Sequence, residues 1–413
     1  MSHENRSVTI LGAGLSGASV ALELATQGVR VTLIERDALP FSRASLRNEG
    51  KIHLGLIYAN DRSLATATLQ LEGALTFSTH LRRWLGPAAD TLRRSTPFHY
   101  LVAKDSLLDA DQLEAHYAAV QMLYDEQRAC APALDYMGIR PERLAVRDDP
   151  ARLSAHLRME RFAAAFETAE VAVDTAQLAN LVREALAKHP LIELRASHRV
   201  DSVAADGGGG FIVAGQCASG PWAISSKQVV NCLWEDRLRI DHGLGLTPPP
   251  GWVHRLKYRV IARLPQAMRH APSVTMVLGP YGDVVVRDDG TAYFSWYPLG
   301  CKGWSHDLAP PASWDAPCRA ELSADEARAV AKELLEAVDE WYPGAARCEP
   351  LLVDAGAIVG YGSTDVNDPA SGLHDRTRVG VNSHGGYHSL DPGKLTTAPM
   401  FGQQAADKVL QAL

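Results

Sequence analysis

The sequence lacks several features that mark whole classes of protein. Its six cysteines include no C-x-x-C pair and no metal-ligand spacing, so we interpret them as reduced and mostly structural. The absence of a G-x-S-x-G segment disfavours a hydrolase with a nucleophile elbow. No apolar run approaches the roughly 18 residues that would span a bilayer. We therefore expect no metal site and no transmembrane segment.

The chain also lacks an excess of basic charge. It has 41 lysine and arginine residues against 48 aspartate and glutamate residues, a formal net charge of -7. A polyanion is held by a basic field, so we expect no nucleic-acid partner. Residues 1–6 are polar and lead directly into an apolar strand, without the order of a secretory signal, and we expect a cytoplasmic protein.

What is present is the composition of an ordinary globular protein, with 46% hydrophobic and 22% charged residues. A length of 413 residues exceeds what one hydrophobic core usually organises. The sequence therefore predicts two closely connected domains.

The first motif is a βαβ unit with a glycine-rich turn. The apolar strand 7–11 is followed by Gly12-Ala13-Gly14-Leu15-Ser16-Gly17 and a helical pattern, and the next strand, 29–34, ends at Glu35. In such a unit the first glycine permits the tight turn, the second lets the backbone approach a pyrophosphate, and the third allows close helix–strand contact. Glu35 would accept ribose hydroxyls, and an acid there disfavours a 2′-phosphate. The unit predicts a bound NAD or FAD.

Two further segments distinguish these cofactors. Residues 42–59 contain Asn48-x-Gly50-x-Ile52-His53-x-Gly55 followed by Tyr58, and residues 385–399 contain Gly393-Lys394-Leu395-Thr396-Thr397. With these motifs the chain resembles the FAD-dependent oxidoreductases of the D-amino-acid oxidase superfamily, particularly the branch of L-2-hydroxyglutarate dehydrogenase and FAD-dependent glycerol-3-phosphate dehydrogenase. The first segment is similar to that branch's pyrophosphate-and-isoalloxazine segment. The second is similar to its C-terminal GGKLTT loop, with Pro392 in place of one glycine.

The resemblance implies an α/β fold: a Rossmann-like FAD-binding domain of the glutathione-reductase type with an inserted α+β substrate domain on a mixed sheet. It predicts an FAD domain from 1–60, 161–241 and 351–413, and a substrate domain from 61–160 and 242–350. Helical patterns cover 175–188 and 323–341, and strand patterns cover 274–278 and 293–297. The family's Asn-Ala-x-Gly landmark appears within 229–234 without its glycine.

The fingerprint and the resemblance together imply FAD, held non-covalently. In the family a strand lays the backbone of a valine against the adenine, and Val200 is the matching position. The expected FAD contacts are Gly12, Gly14, Leu15, Ser16, Gly17, Glu35, Arg36, Ser45, Asn48, Gly50, Val200, Gly386, Leu390, Gly393, Lys394, Leu395 and Thr396.

Catalysis in such a protein requires positive potential where negative charge develops on the flavin. The ammonium of Lys394 and the N-terminal amides of a helix that begins near 396–399 and runs to about 410 suit that task. His53 is our first candidate for the base that accepts a hydroxyl proton. It has two other interpretations, the flavin attachment residue or an ordinary loop histidine. Tyr58, Tyr297 and Tyr387 are candidates for the substrate pocket, and we count Tyr297 with His53 and Lys394 among the expected catalytic residues.

Other titratable residues receive weaker interpretations. His384 and His388 are four apart, but Gly385 and Gly386 between them indicate a loop rather than a metal-binding helix, and His388 is a candidate for the flavin or the substrate. Amino-acid oxidising relatives anchor the substrate carboxylate with an arginine in a Gly-x-Arg-Pro segment, which is absent here. Arg287, Arg376 and Arg378 are possible substitutes, although we expect the last two to form a solvated strand edge.

We therefore expect an FAD-dependent dehydrogenase or oxidase that transfers a hydride from a CH–OH group of a small polar substrate, a hydroxy acid or polyol, to flavin N5. The partners are that small molecule and an electron acceptor, which is oxygen, a quinone or a protein. A first alternative is an amine or amino-acid (CH–NH) oxidase of the same superfamily. A second is a flavin-binding protein with a non-redox role.

Overall fold

The computed structural model describes residues 7–413. Its strands are β1 Ser7–Leu11, β2 Arg30–Ile34, β3 Phe98–Ala103, β4 Ala145–Asp148, β5 Phe162–Thr168, β6 Ile192–Arg195, β7 Arg199–Ala205, β8 Phe211–Cys217, β9 Gly220–Ser226, β10 Val229–Asn231, β11 Trp252–Arg263, β12 Ser273–Val277, β13 Gly282–Val286, β14 Thr291–Trp296, β15 Cys301–Ser305, β16 Glu349–Tyr361, β17 Gly380–His384 and β18 Tyr387–Asp391. Its α-helices are α1 Leu15–Thr26, α2 Ala65–Leu85, α3 Ala110–Cys130, α4 Thr175–Lys188, α5 Arg237–Gly243, α6 Tyr297–Gly300, α7 Asp315–Cys318, α8 Ala324–Asp339 and α9 Ala398–Ala412.

The first sheet has six strands in the order β17-β18-β10-β1-β2-β6. All its pairs are parallel except β17 with β18, which form a hairpin. The apolar side chains of β1 are buried, as a strand covered on both faces requires. Helix α1 packs against α9, so the N-terminal and C-terminal segments of the chain meet. This is the predicted Rossmann-like unit.

The second sheet has nine strands and mixed directions. Its main path is β15-β11-β14-β13-β12-β3-β5-β4, and β16 pairs with β11 along twelve residues of β11, from Trp252 to Arg263. Only β3 with β12 is parallel among its pairs within residues 7–413. Helix α8, which the helical pattern at 323–341 predicts, covers this sheet and begins at a capping box of Ser323 and Glu326. The α/β fold class is confirmed.

A third sheet, β7-β8-β9, is antiparallel, and the turn at 207–210 joins the strands of its first hairpin.

The helix predicted at 175–188 is α4, which begins after Asp174, whose side chain accepts the amides of Ala176 and Gln177. The strands predicted at 274–278 and 293–297 are β12 and β14. Strand β12 begins and ends one residue earlier than predicted, and β14 begins two residues and ends one residue earlier. Local periodicity therefore located these elements closely.

The domain boundaries stay a prediction. Strand β5 and the whole of β16 pair within the nine-stranded sheet, although the predicted boundaries assign 161–168 and 351–361 to the FAD domain. Helix α2, assigned to the substrate domain, packs against α9 and α4. Among the described residues, no helix combines the length and the apolar character that crossing a membrane requires.

Candidate active site and cofactor cleft

One open cleft with an empty volume of about 1470 Å³ lies where the two larger sheets meet. Its walls are the glycine-rich turn, residues 42–53, the turn after β10, the middle of β11 and β16, and the loop before α9. Eight basic side chains line it: Arg36, Arg43, Arg47, Lys51, Lys257, Arg259, Arg376 and Lys394. Three acidic side chains oppose them: Glu35, Glu49 and Glu235. The cleft is therefore suited to anionic ligands.

At one end of the cleft lies the glycine-rich turn. A methyl group on Gly17 would lie 1.9 Å from the carbonyl oxygen of Gly12, so only glycine permits this close contact of α1 with the turn. Helix α1 begins after Gly14, which supplies no capping side chain, and its N-terminal dipole is directed at the cleft. Glu35 accepts the amides of Ala13 (2.9 Å) and Asp37 (3.0 Å). Burial raises the pKa of Glu35 above its ordinary value, although these two hydrogen bonds lower it.

The segment after β2 forms the next part of the wall. Ser45 accepts the amide of Leu15 through Oγ (2.9 Å). Asn48 holds its own turn, because its amide donates to the carbonyls of Ala44 and Ser45 and its carbonyl oxygen accepts the amide of Gly50. Both Ser45 and Asn48 line the cleft, as expected.

His53 lies in the cleft wall at 3% exposure, beside two carboxylates. Its Nδ1 is 3.4 Å from Oε1 of Glu170, and its Nε2 is 3.9 Å from Oε1 of Glu49. Burial raises the pKa of Glu170, but His53, Lys51 and a hydrogen bond from Tyr100 outweigh burial, so the pKa lies below its ordinary value. Glu170 is fully buried and stays ionised. An imidazole that accepts a proton here is stabilised by it.

The loop before α9 carries Lys394. Burial, then Arg376, lowers the pKa of Lys394 to about 7, and Glu49 opposes this change. The loop is tied to the His53 segment by Thr396, whose Oγ1 accepts the amide of His53 (2.9 Å) and donates to the carbonyl of Lys51 (3.3 Å). Pro392, the departure from the family's glycine, accepts the amide of Lys394 through its carbonyl oxygen.

A buried ion cluster forms the wall between these groups. Lys51 donates to Oδ1 of Asp283 (2.7 Å), and Lys257 lies 3.9 Å from Oδ2 of the same carboxylate. Next along β11, Arg259 donates to Asp354 twice, at 2.6 and 3.1 Å, and Arg47 donates to the same residue. Asp354 is fully buried. In each group one carboxylate faces two basic side chains, so positive charge remains in this wall in addition to that of Arg376 and Lys394.

The structure brings most of the predicted residues to this cleft. Those that line it are Gly12, Gly14, Leu15, Ser16, Glu35, Arg36, Ser45, Asn48, His53, Gly393, Lys394 and Leu395. Those that lie outside its lining are Gly17, Gly50, Val200, Tyr297, Gly386, Leu390 and Thr396.

The residues outside the lining have other contacts. Gly50 and Gly386 accept the amides of Val173 and Val229 through their carbonyl oxygens, and Leu390 lies in the core. The carbonyl oxygen of Val200 accepts a hydrogen bond from Arg239 (3.0 Å). A flavin contact of these residues stays a prediction.

Tyr297 and His388 have full sets of partners. The Tyr297 hydroxyl lies between Arg255, which donates to it, and Asp365, which accepts from it at 3.1 Å. His388 is buried in β18 and contacts Ser383 (2.8 Å) and Gln228 (3.0 Å), and burial lowers its pKa to about 4.

One of the two expectations about arginines is wrong. Arg376 is not at a solvated edge but 8% exposed and in the cleft wall, whereas Arg378 is exposed as expected. Burial, then Arg255, lowers the pKa of Arg376 to about 10. The sequence analysis also missed Lys257 and Arg259, although an alternation of basic residues along one strand is a visible signal. Glu170 and Glu235 were not predicted because their partners are distant in sequence, and Glu49 was not predicted although His53 lies only four positions away.

The fold and the site together define a class. A parallel sheet with a glycine-rich turn at a helix N-terminus and a ribose acid is the site of an adenine dinucleotide. The start of α1 at the cleft, the close Gly17 contact and the basic lining fit FAD. The protein is thus a dinucleotide-dependent enzyme with a second, nine-stranded sheet beside the cofactor cleft.

Residues 7–408 match the sequence model of the family "DAO: FAD dependent oxidoreductase", and the chain belongs to this family. FAD is therefore its cofactor and redox catalysis its activity. Residues that would hold FAD are those of the glycine-rich turn, the 45–48 segment and the loop before α9. The resemblance seen in the sequence is confirmed at the family level.

Solved structures with the same fold cover nearly the whole chain. Glycine oxidase from Geobacillus kaustophilus has a TM-score of 0.68 at 16% identity, over 99% of this chain and 96% of that one. L-alpha-glycerophosphate oxidase from Mycoplasma pneumoniae, with FAD bound, has 0.65 at 17%, over 98% and 95%. Iminodiacetate oxidase from Chelativorans sp. has 0.65 at 19%, over 98% and 96%. At these identities the likeness shows the fold alone.

One curated relative has higher local identity. The tRNA 5-methylaminomethyl-2-thiouridine biosynthesis bifunctional protein MnmC of Chromohalobacter salexigens is 41% identical over 80 residues, which are 19% of this chain. The match spans 10% of that protein's length.

Proposed function

We propose that this enzyme oxidises the CH–OH group of a small hydroxy acid. The observation that carries the proposal is the pair of His53 and Glu170, a histidine in the cleft wall 3.4 Å from a fully buried carboxylate. An alcohol must lose its hydroxyl proton as its C–H bond breaks, and a histidine beside a buried carboxylate is suited to accept it.

His53 acts as this base through Nε2. Glu170 lies on the Nδ1 side, where it orients the ring and stabilises the imidazolium. The Glu170 carboxylate is itself held by the amide of Leu54 (2.8 Å) and the hydroxyl of Tyr100. With carboxylates near both ring nitrogens, His53 is better placed for proton transfer than for a covalent flavin bond, and we propose that FAD is held non-covalently.

Bound FAD supplies the hydride acceptor. The chain supplies the positive potential around it: Lys394 and the N-terminus of α9 approach from the C-terminal loop, and Lys257 approaches from β11. Burial lowers the pKa of Lys257, but Tyr293, Glu49 and Asp283 together raise it above its ordinary value, so Lys257 stays charged.

Arg376 is the proposed anchor of the substrate carboxylate. Its guanidinium is buried in the cleft wall, and its one side-chain hydrogen bond among residues 7–413 is a long one of 3.4 Å to the carbonyl of Val359. The nearby Tyr58 hydroxyl is buried and has no partner in the described part of the chain. A carboxylate would satisfy both groups.

The CH–NH alternative has one observation in its favour. Glu49 presents a carboxylate to the cleft 3.9 Å from His53, and Lys257 and Lys394 keep its pKa below the ordinary value despite burial. An ionised carboxylate there could hold a substrate ammonium group. Glycine oxidase and iminodiacetate oxidase, both named for amino acids, share the fold. A tRNA substrate is disfavoured by the net charge of -7.

The test is anaerobic titration of the purified flavoprotein with matched pairs, each a 2-hydroxy acid and the 2-amino acid of the same side chain, followed by flavin absorbance. We expect bleaching by a hydroxy acid and none by its amino partner. Bleaching by the amino acids alone would replace the CH–OH proposal with the CH–NH one. Acid precipitation of a separate sample should release the yellow colour, and colour in the pellet would contradict non-covalent binding.

A further inference from the structure

The turn after β10 presents an acid that the sequence analysis did not assign. Glu235 lies in the short 3₁₀ turn Trp234–Asp236, is 4% exposed and lines the cleft. Its Oε1 accepts a hydrogen bond from Arg43 (2.9 Å) and pairs with Arg36. Its Oε2 is buried and has no hydrogen-bond partner among residues 7–413. A buried carboxylate oxygen without a donor is costly, so a ligand is expected to supply one.

This acid lies at the adenosine end of the cleft. A methyl group on Gly12 would lie 2.8 Å from the carbonyl oxygen of Cys232, so the turn after β10 abuts the glycine-rich turn. Trp234 has a φ of +53°, which reverses the chain direction directly before Glu235. Arg36, the partner of Glu235, follows Glu35 in the chain. Glu235 therefore reaches the same end of the cleft as the ribose acid.

Neutralising the two arginines does not account for Glu235. Each of the two guanidinium groups has another carboxylate within salt-bridge distance, and even with Arg239, which also pairs with Asp236, the acids other than Glu235 equal the arginines in number. These acids are Asp37, Asp236 and Asp315. Meanwhile each oxygen of Glu35 already accepts one backbone amide.

We infer that Glu235 is a second ribose acid: its Oε2 accepts a hydrogen bond from a hydroxyl of the adenosine ribose of FAD, beside Glu35. The inference rests on FAD as the cofactor and is independent of the substrate proposed above. It assigns one more side chain to cofactor recognition, from the turn where the family's glycine is absent.

The experiment measures FAD affinity rather than turnover. Full-length apoprotein is titrated with FAD and with two FAD analogues whose adenosine ribose lacks the 2′- or the 3′-hydroxyl, and flavin fluorescence gives each Kd. One of the two ribose hydroxyls donates a hydrogen bond to Glu235. In the unmodified protein, loss of that hydroxyl should weaken binding of the FAD analogue by roughly tenfold to a hundredfold, the range for hydrogen bonds to charged groups. In Glu235→Ala the same loss should change Kd by less than about threefold.

Two variants separate the hydrogen bond from the ion pairs. Asp236→Asn removes another partner of Arg36 without touching the cleft lining and should keep the full hydroxyl dependence. Glu235→Asp keeps the charge beside Arg36 and Arg43 but withdraws the acceptor by one methylene, and it should lose the dependence as Glu235→Ala does. Unchanged hydroxyl dependence in folded Glu235→Ala or Glu235→Asp would overturn the inference. Failure of both variants to fold would also overturn it, because the ion pairs would then be the role of Glu235.

Discussion

At the residue scale, the cleft combines groups that no single stretch of sequence contains. His53 and Glu170 are 117 positions apart, and Arg376 is more than 200 positions from both. Their meeting brings the proposed base, its buried counter-charge and the proposed anion anchor together around one cleft. Each of these roles can be tested by changing one side chain.

Replacing His53 by Asn should lower kcat about 10²- to 10⁴-fold, the usual contribution of a positioned base. FAD content and the flavin spectrum should not change. The matched control is His116→Asn: His116 is buried and contacts the carbonyl of Gly55 (3.2 Å) but does not line the cleft. Steady-state and rapid-reaction kinetics give both values. Equal activity of the two variants would remove His53 from the mechanism.

Replacing Arg376 by Ala should raise KM by about tenfold or more, because a buried charge-assisted hydrogen bond to the substrate is lost. Arg376→Lys should recover only part of the affinity, since an ammonium group cannot bind a carboxylate bidentately. Arg378→Ala changes an exposed arginine two positions away and should leave KM within twofold of the parent. An effect of similar size in both alanine variants would argue against a specific anchor.

Lys394 predicts a pH dependence of anion binding. With its pKa lowered to about 7, its ammonium is present below that pH and lost above it. Binding of a carboxylate then requires uptake of one proton, so the Kd of a carboxylate inhibitor should rise by up to about tenfold per pH unit above 7. Lys394→Arg stays protonated throughout and should give a flat profile. Persistence of the slope in Lys394→Arg would assign it to another group.

At the element scale, β11 and β16 form the wall that joins the second sheet to the cofactor segment. Their long antiparallel pairing places Lys257 of β11 opposite Gly356 of β16, and Arg259 of β11 opposite Asp354 of β16. The fully buried Asp354 accepts hydrogen bonds from Arg259 of its own sheet and from Arg47 of the segment after β2. One carboxylate thus connects the two parts of the cleft.

Asp354→Asn should destabilise the protein by about 3–5 kcal/mol, because two buried guanidinium groups lose their counter-charge. Glu349→Gln, which breaks the exposed pair with Arg263 at the start of β16, should cost less than about 1 kcal/mol. Urea unfolding of both variants with FAD at saturation gives the comparison. Similar losses in the two variants would show that the Asp354 charge is not needed for stability.

At the scale of the whole molecule, the hydrophobic core is continuous between the sheets. A single buried cluster includes Val8 and Leu33 of the first sheet and Tyr100 and Tyr293 of the second. The cofactor cleft opens along this junction. Binding of FAD should therefore stabilise both parts together rather than one domain alone.

We expect one cooperative unfolding transition in the apoprotein and one in the holoprotein. FAD at 100 times its Kd should add about 2.7 kcal/mol to the free energy of unfolding, because it binds only the folded state. Riboflavin, which lacks the adenosine diphosphate part, should add much less. Coincident circular dichroism and flavin fluorescence curves would support the expectation. Two separate transitions, of which FAD shifts only one, would instead indicate independent domains.

The sequence by itself determined the local parts of this protein. The glycine-rich turn, Glu35, the 45–53 segment and the loop of Lys394 were predictable because backbone approach and helix starts depend on neighbouring residues. Tertiary structure alone decided which side chains meet: Glu170 with His53, Arg376 with the cleft, and Glu235 with Arg36. Burial and distant charges are properties of the folded chain, so the exposure of Arg376 and the pKa of Lys394 had no signal in their neighbouring residues.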